Sequence, residues 1–204
     1  MAEPLNYRTL AALAKAEARC TRCPLYKHAT QVVPGEGSPH SRLVMVGEQP
    51  GDKEDLAGAP FVGPAGMMLD RAIAEAGLDR RKVFVTNAVK HFKFEQRGKR
   101  RLHKKPNSYE IDRCRWWQEQ ELRIVKPELV VALGATALRS LTGKAVAIAK
   151  LRGHPVPLAD GTPLIATIHP SYLLRIQDRD DKAAEYGRFV SDLRLCARLL
   201  EKVA

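Results

Sequence analysis

Residues 42–52 read RLVMVGEQPGD, an apolar, β-branched-rich run of strand length that breaks at once into a polar turn rich in glycine and proline. Three further runs share that character: VFVT (83–86), ELVVAL (128–133) and LIATI (164–168). None alternates apolar with polar residues, which marks strands covered on both faces. Helical patterns lie between them. PAGMMLDRAIAEAG (64–77) opens on Pro64 and stops at Gly77, NSYEIDRCRWWQEQELRIV (107–125) begins at Asn107 with Glu110 at capping-box spacing, and GATALRSL (134–141) follows the third run. A last helix, about residues 181–202, aligns Tyr186, Phe189, Val190, Leu193, Cys196, Ala197 and Leu200 on one face. The alternation predicts an α/β fold in three layers, α/β/α, around a central four-stranded parallel sheet. The 204 residues fit a single domain, 1–204, with no repeat, low-complexity tract or linker.

In such sheets ligands bind beyond the carboxyl ends of the strands. The segments that follow the strands are GEQPGDKEDLAGAPFVGPAG (47–66), then NAVKHFKF (87–94) with the basic loop GKRRLHKKP (98–106), and HPSYLLR (169–175). The first is no phosphate-cradling loop, because it lacks both G-x-G-x-x-G and a G-K-[ST] ending. Its carboxylates, Glu48, Asp52, Glu54 and Asp55, suit a base, a water positioner or partners for nearby cations.

Thirty-four Lys and Arg against 23 Asp and Glu leave a net charge of +11 and a pI near 9.7, which points to a polyanionic partner, nucleic acid first. No apolar run reaches the roughly 18 residues of a membrane span, and MAEPLNYRTL (1–10) lacks the basic-then-apolar order of a secretory signal. The expectation is a cytoplasmic protein without membrane contact. Four cysteines are too few and too scattered for a secreted disulfide framework. In a reducing compartment CTRC (20–23) reads as half of a metal or cluster site. A redox pair is the competing reading, but such pairs follow a strand and open a helix, whereas this one ends an amphipathic helical stretch, residues 7–19.

GEQPGDKEDLAGAPFVGPAG, TNAVKHFKF, GKRRLHKKP and HPSYLLR, in this order and with the early C-x-x-C, resemble the uracil-DNA glycosylase superfamily, and within it the X-type (UdgX) uracil-DNA-binding branch, which is related to the family 4 enzymes. The likeness spans residues 20–198. It implies the uracil-DNA glycosylase fold and a partner in uracil-containing DNA, single-stranded with double-stranded as an option, bound by a monomer. Base excision requires the nucleotide to leave the stack, and a pocket that holds its face and reads its edge. By resemblance Phe61 stacks on the uracil and Asn87 bonds its edge, an amide offering both donor and acceptor. Gln49 lines the base pocket, Glu48 and Asp52 stand near the sugar, and His169 stabilises negative charge on the departing base. Arg175 meets the DNA backbone, with Leu173 and Leu174 as wedge or packing residues.

The resemblance also gives His103 a role. In the X-type branch a histidine in an added basic loop attacks the sugar in place of water, and His103 is the matching residue; the neighbouring cations disfavour its protonation and Glu48 accepts its proton. Lys99, Arg100, Arg101, Lys104 and Lys105 are expected to hold phosphates. The product would be a lasting adduct between His103 and the C1′ of the abasic sugar. Cys20, Cys23, His91 and Cys114 match the ligands of a 4Fe-4S cluster, His91 standing where family 4 relatives have cysteine. Zinc on three cysteines and a histidine, or a fourth ligand from Cys196, remain options. Two other functions stay open: a conventional multiple-turnover family 4-type uracil-DNA glycosylase, and a non-catalytic single-stranded DNA-binding protein with an iron-sulfur cluster.

Overall fold

The computed structural model describes residues 7–202. Residues 1–6, part of the N-terminal stretch read above, and residues 203–204 lie outside the described residues, as do those ends of the single 1–204 domain. The chain runs α1 (Leu10–Glu17), β1 (Leu43–Gly47), α2 (Asp52–Ala57), α3 (Pro64–Glu75), β2 (Val83–Asn87), β3 (Phe94–Arg97), β4 (Arg100–His103), α4 (Ser108–Val125), β5 (Leu129–Leu133), α5 (Ala135–Thr142), β6 (Val156–Pro157), β7 (Pro163–Thr167), α6 (Pro170–Leu173) and α7 (Arg179–Glu201). Each predicted strand lies within a residue of its expected bounds. Asn107 and Glu110 form the expected reciprocal cap on α4, side chain to backbone N–H at 2.9 and 2.7 Å.

The central sheet has five strands in the order β2-β1-β5-β7-β6. The four predicted strands pair in parallel, and the fifth, β6, adds an antiparallel edge to β7. The expected four-stranded parallel sheet is present, and β6 extends it by one edge strand. Two residues, one of them Pro157, carry no periodic signal, and a proline without an N–H fits only at an edge.

Strand parity divides the core. Leu43, Met45, Val83, Val85, Val131 and Ile165 point to the face packed by α3, α6 and α7, while Val44, Val46, Phe84, Val130 and Ala166 point to the face packed by α4 and α5. Leu43 is level with both Val83 and Leu129, so side chains of like parity stand in rows across the strands. Each fully buried aliphatic side chain in these rows contributes about 2 kcal/mol. α1 packs on α4, outside the second layer.

The basic loop is a two-stranded antiparallel hairpin, β3–β4, separate from the sheet. Arg97 pairs with Arg100 across Gly98 and Lys99, and Gly98 takes a positive φ of 56° to close the turn. Sequence periodicity misses it because FEQRGKRRLH has apolar residues only at Phe94 and Leu102. Among the described residues, no helix is long and apolar enough to cross a membrane.

Candidate active site

The strand order sets the place of the site. β1 has β2 on one side and β5 on the other, so connections leaving β1 and β5 diverge and open a crevice at their carboxyl ends. A cleft of about 560 Å³ lies there, and its walls include Glu48, Phe61, Asn87, His103, His169 and Arg175. Three distant motifs and the hairpin therefore meet in one cavity.

Asn87 ends β2, is buried, and has no partner for its side-chain amide among the described residues. Phe61 is buried beside it with φ 58°. That left-handed conformation costs a bulky residue about 1–3 kcal/mol and is characteristic of functional sites. Gly47, at the end of β1, makes room for both side chains: a Cβ there would sit 2.4 Å from Asn87 Oδ1 and 2.7 Å from the Phe61 ring.

The ring of Phe61 stacks on that of His169, centroids 6.2 Å apart and planes inclined by 26°. His169 follows β7 and caps α6, its Nδ1 accepting from the Ser171 backbone N–H at 3.2 Å. In a neutral ring the proton then sits on Nε2. Desolvation among densely packed protein atoms, joined by the charges of His103 and Arg175, pushes its pKa down to about 4, although part of the ring's surface still opens to the cleft. The site therefore holds a neutral N–H donor.

His103 ends β4, half-exposed, with Nε2 3.4 Å from Glu48 Oε1. The hairpin that carries it is fixed by three sets of contacts. Gln49 donates to the carbonyls of Lys93 and Lys104, both at 3.1 Å, and accepts from the Lys93 N–H. Arg101 donates to Asp52 at 2.5 Å, to buried Asp55 at 2.6 Å and to Thr30 at 3.0 Å. Its guanidinium also lies over the rings of Phe92 and Phe94.

These contacts show how the expected site residues are engaged. Gln49 borders the cleft, yet its amide is spent on the hairpin backbone. Arg101 is held by carboxylates instead of being presented to phosphate, and Asp52 is its partner. Lys104 pairs with Glu95 at 2.8 Å on the hairpin itself. Lys99, Arg100 and Lys105 are exposed with no ion-pair partner among the described residues, so three of the five predicted phosphate-binding cations stand free. Arg175 is exposed at the cleft, within 3.3 Å of Ser171 Oγ. Leu173 is core, whereas Leu174 is exposed on the cleft wall. Sequence reasoning missed Thr136, whose hydroxyl contacts Glu48; its one signal is a place in the turn after β5, beside the switch point.

Cys20, Cys23 and Cys114 share an apolar pocket with Leu13, Leu25 and Trp117. Burial raises the thiol pKa values of Cys23 and Cys114. Two donors face the sulfurs: the Trp117 indole N–H at 3.1 Å from Cys20 Sγ, and the Lys90 backbone N–H at 3.2 Å from Cys114 Sγ. Such donors suit thiolates bound to a metal or cluster. His91 is buried, with desolvation lowering its pKa and Asp55 raising it. Among the described residues, no group of three or more His, Cys, Asp or Glu is arranged to hold a metal ion. The donor chemistry of the three gathered cysteines fits such a group, and His91 follows Lys90, whose N–H reaches Cys114. Cys196 lies in the core on the sheet's other face and bonds the Asp192 carbonyl.

Residues 34–194 match the Uracil DNA glycosylase superfamily. The chain is 43% identical over 158 residues to the type-4 uracil-DNA glycosylase of Thermotoga maritima, covering 77% of this chain and 79% of that one. It is 37% identical over 181 residues to the type-4 enzyme of Pyrobaculum aerophilum, covering 85% and 86%, and 30% identical over 177 residues to that of Archaeoglobus fulgidus, covering 83% and 85%. With a match to the family across most of its length, and the family's motifs gathered in one cleft, the chain belongs to the uracil-DNA glycosylase superfamily.

Proposed function

We propose that this protein excises uracil from DNA and captures the resulting sugar on His103. The observation that carries the reading is His103 on the wall of the same cleft as Phe61, Asn87 and His169, with its ring nitrogen 3.4 Å from Glu48. Phe61 packs against the flipped base and the unpaired Asn87 amide bonds its edge. As the C1′–N1 bond breaks, its electron pair leaves with uracil, and the neutral His169 N–H meets the charge that develops on O2. The imidazole lone pair forms the new bond to C1′, and the ring's proton passes to Glu48, which becomes a neutral acid. Expelling the imidazole again requires a proton on a poor leaving group, so the adduct persists.

Lys99, Arg100, Lys105 and Arg175 supply salt-dependent attraction to the DNA backbone around the cleft, on single or double strands. The protein acts as a monomer in the cytoplasm, where its four free cysteines stay reduced. Cys20, Cys23 and Cys114, with His91, hold a 4Fe-4S cluster that cross-links the segment after α1 to α4. The cluster's contribution is structural, since the reaction transfers no electrons.

A second reading, a multiple-turnover glycosylase in which water traps the sugar and His103 meets phosphate, has the type-4 relatives in its favour. A denaturing gel with matched uracil- and thymine-containing oligonucleotides separates the two. A band that survives detergent and heat with uracil DNA alone is the expected result. Free abasic DNA with no such band gives the case to the second reading, and neither product leaves only DNA binding.

A further inference from the structure

Glu48 touches a second group besides His103. Thr136, in the first turn of α5, is buried, and its hydroxyl lies 2.5 Å from Glu48 Oε2. The other carboxylate oxygen, Oε1, is the one that faces His103. The two carboxylate oxygens are therefore divided between two partners, His103 on the cleft wall and Thr136 at the start of α5. We propose that Thr136 is a positioning residue for the trapping reaction: its hydroxyl anchors one carboxylate oxygen so that the other stays turned to the imidazole. The inference rests on the reading of His103 as nucleophile.

The fold makes this pairing. β1 and β5 are neighbours, with Val46 level with Ala132, and the chain leaves them in different directions. Glu48 comes off the end of β1, and Thr136 stands in the helix turn just past β5. A threonine deep in a helix commonly bonds the carbonyl four residues back. In the first turn no helical carbonyl lies behind it, so the hydroxyl is available to reach out of the helix end. Its branched side chain has few rotamers, which makes it a stiff anchor.

A glutamate otherwise retains several torsions, and holding it costs side-chain entropy at the moment of reaction. The turn that carries Thr136 is itself fixed. Gly134 has φ 91°, its N–H donates to the Thr167 carbonyl at 2.9 Å, and a Cβ at this position would lie 3.1 Å from His169 Cβ. One turn thus abuts the residue that meets uracil and anchors the carboxylate that serves His103. Thr136 gains and loses no proton in the cycle; it donates the same hydrogen bond throughout.

The test uses T136V, which keeps the shape and removes the hydroxyl, and T136S, which keeps the hydroxyl and removes the methyl group. Under single-turnover conditions with saturating uracil DNA, released uracil and DNA-linked protein are followed in the same samples. T136V is expected to slow linkage about tenfold more than it slows uracil release, the loss of one hydrogen bond to a charged group. T136S is expected to link within about threefold of the unsubstituted protein, a residual allowance for the lost methyl contact. Linkage by T136V that keeps pace with its uracil release overturns the proposal. So does a T136S no better than T136V, since the residue then serves packing alone. Unsubstituted protein that releases uracil but never links sinks the His103 reading and this inference with it, and that outcome is visible before any variant is made.

Discussion

The two histidines of the cleft are held in different ways. His169 continues from β7, a strand paired on both sides within the central sheet, its Nδ1 tied to the backbone of α6 and its ring packed on Phe61. His103 stands at the end of a hairpin that shares no ladder with the sheet and is secured by Gln49, Arg101 and the phenylalanines beneath it. The group assigned to excision thus belongs to the frame of the fold, and the group assigned to trapping belongs to an attached arm. A frame is positioned by the whole core, an arm by a few polar contacts. Changes that loosen the arm are therefore expected to separate trapping from excision, and changes to the frame to lower both.

Replacing His103 by Ser breaks the comparison most sharply. The linked band is expected to vanish on a denaturing gel while uracil release continues and water takes the sugar. A linked band from that variant means the nucleophile lies elsewhere. Next in size is His169→Ala, expected to slow uracil release about 100- to 1000-fold, as loss of a donor to a developing anion does. The pH dependence sharpens the point. With a pKa of about 4, the His169 ring is neutral over the working range. Uracil release by the unsubstituted protein in a single turnover is expected to stay level from about pH 8 to about pH 5 and to decline towards pH 4. Its stability linkage has the same sign: the unfolded chain binds this proton first, so the contribution falls as pH drops from about 6.5 towards 4.

Arg101→Met tests the arm. It leaves Asp55 buried and short of a partner, which weakens the clasp by about 3 kcal/mol. Linkage is expected to fall about tenfold or more through misplacement of His103, with a smaller fall in uracil release; equal losses in both would mean that the hairpin is part of the frame. The smallest effect is expected from Lys99→Ala with Arg100→Ala. These free cations at the hairpin tip touch no part of the cleft chemistry, so the change should appear in affinity, with the slope of log affinity against log salt shallower by about 1 to 2. An unchanged slope places the DNA elsewhere.

The α/β alternation was legible because strands covered on both faces are apolar throughout, and caps such as Asn107 and Glu110 act over three residues. Glu48, Phe61, Asn87, His103 and His169 were singled out by the family resemblance, and that they meet in one cleft follows because their segments lie after strands or in the basic run and parallel strands bring such segments to one edge. β6 was not legible, since two edge residues have no period. Nor was the fate of each charge in GKRRLHKKP: Arg101 and Arg100 are adjacent and alike in sequence, yet one is half-buried against Asp55 and the other stands in solvent. Alternation of side chains along β4 and the approach of α2, 46 residues earlier, decide which is which.

The sequence by itself determined the layers and the edge at which the site forms, because these follow from hydrophobic period and local capping, while the residues that meet there were carried by motif resemblance. Only the tertiary structure decided which polar atoms remain free for a ligand. Gln49 is spent on the hairpin, Asn87 is not, and Thr136 stands behind Glu48. Hydrogen-bond partners distant in the chain are chosen by packing geometry, to which local pattern carries no clue.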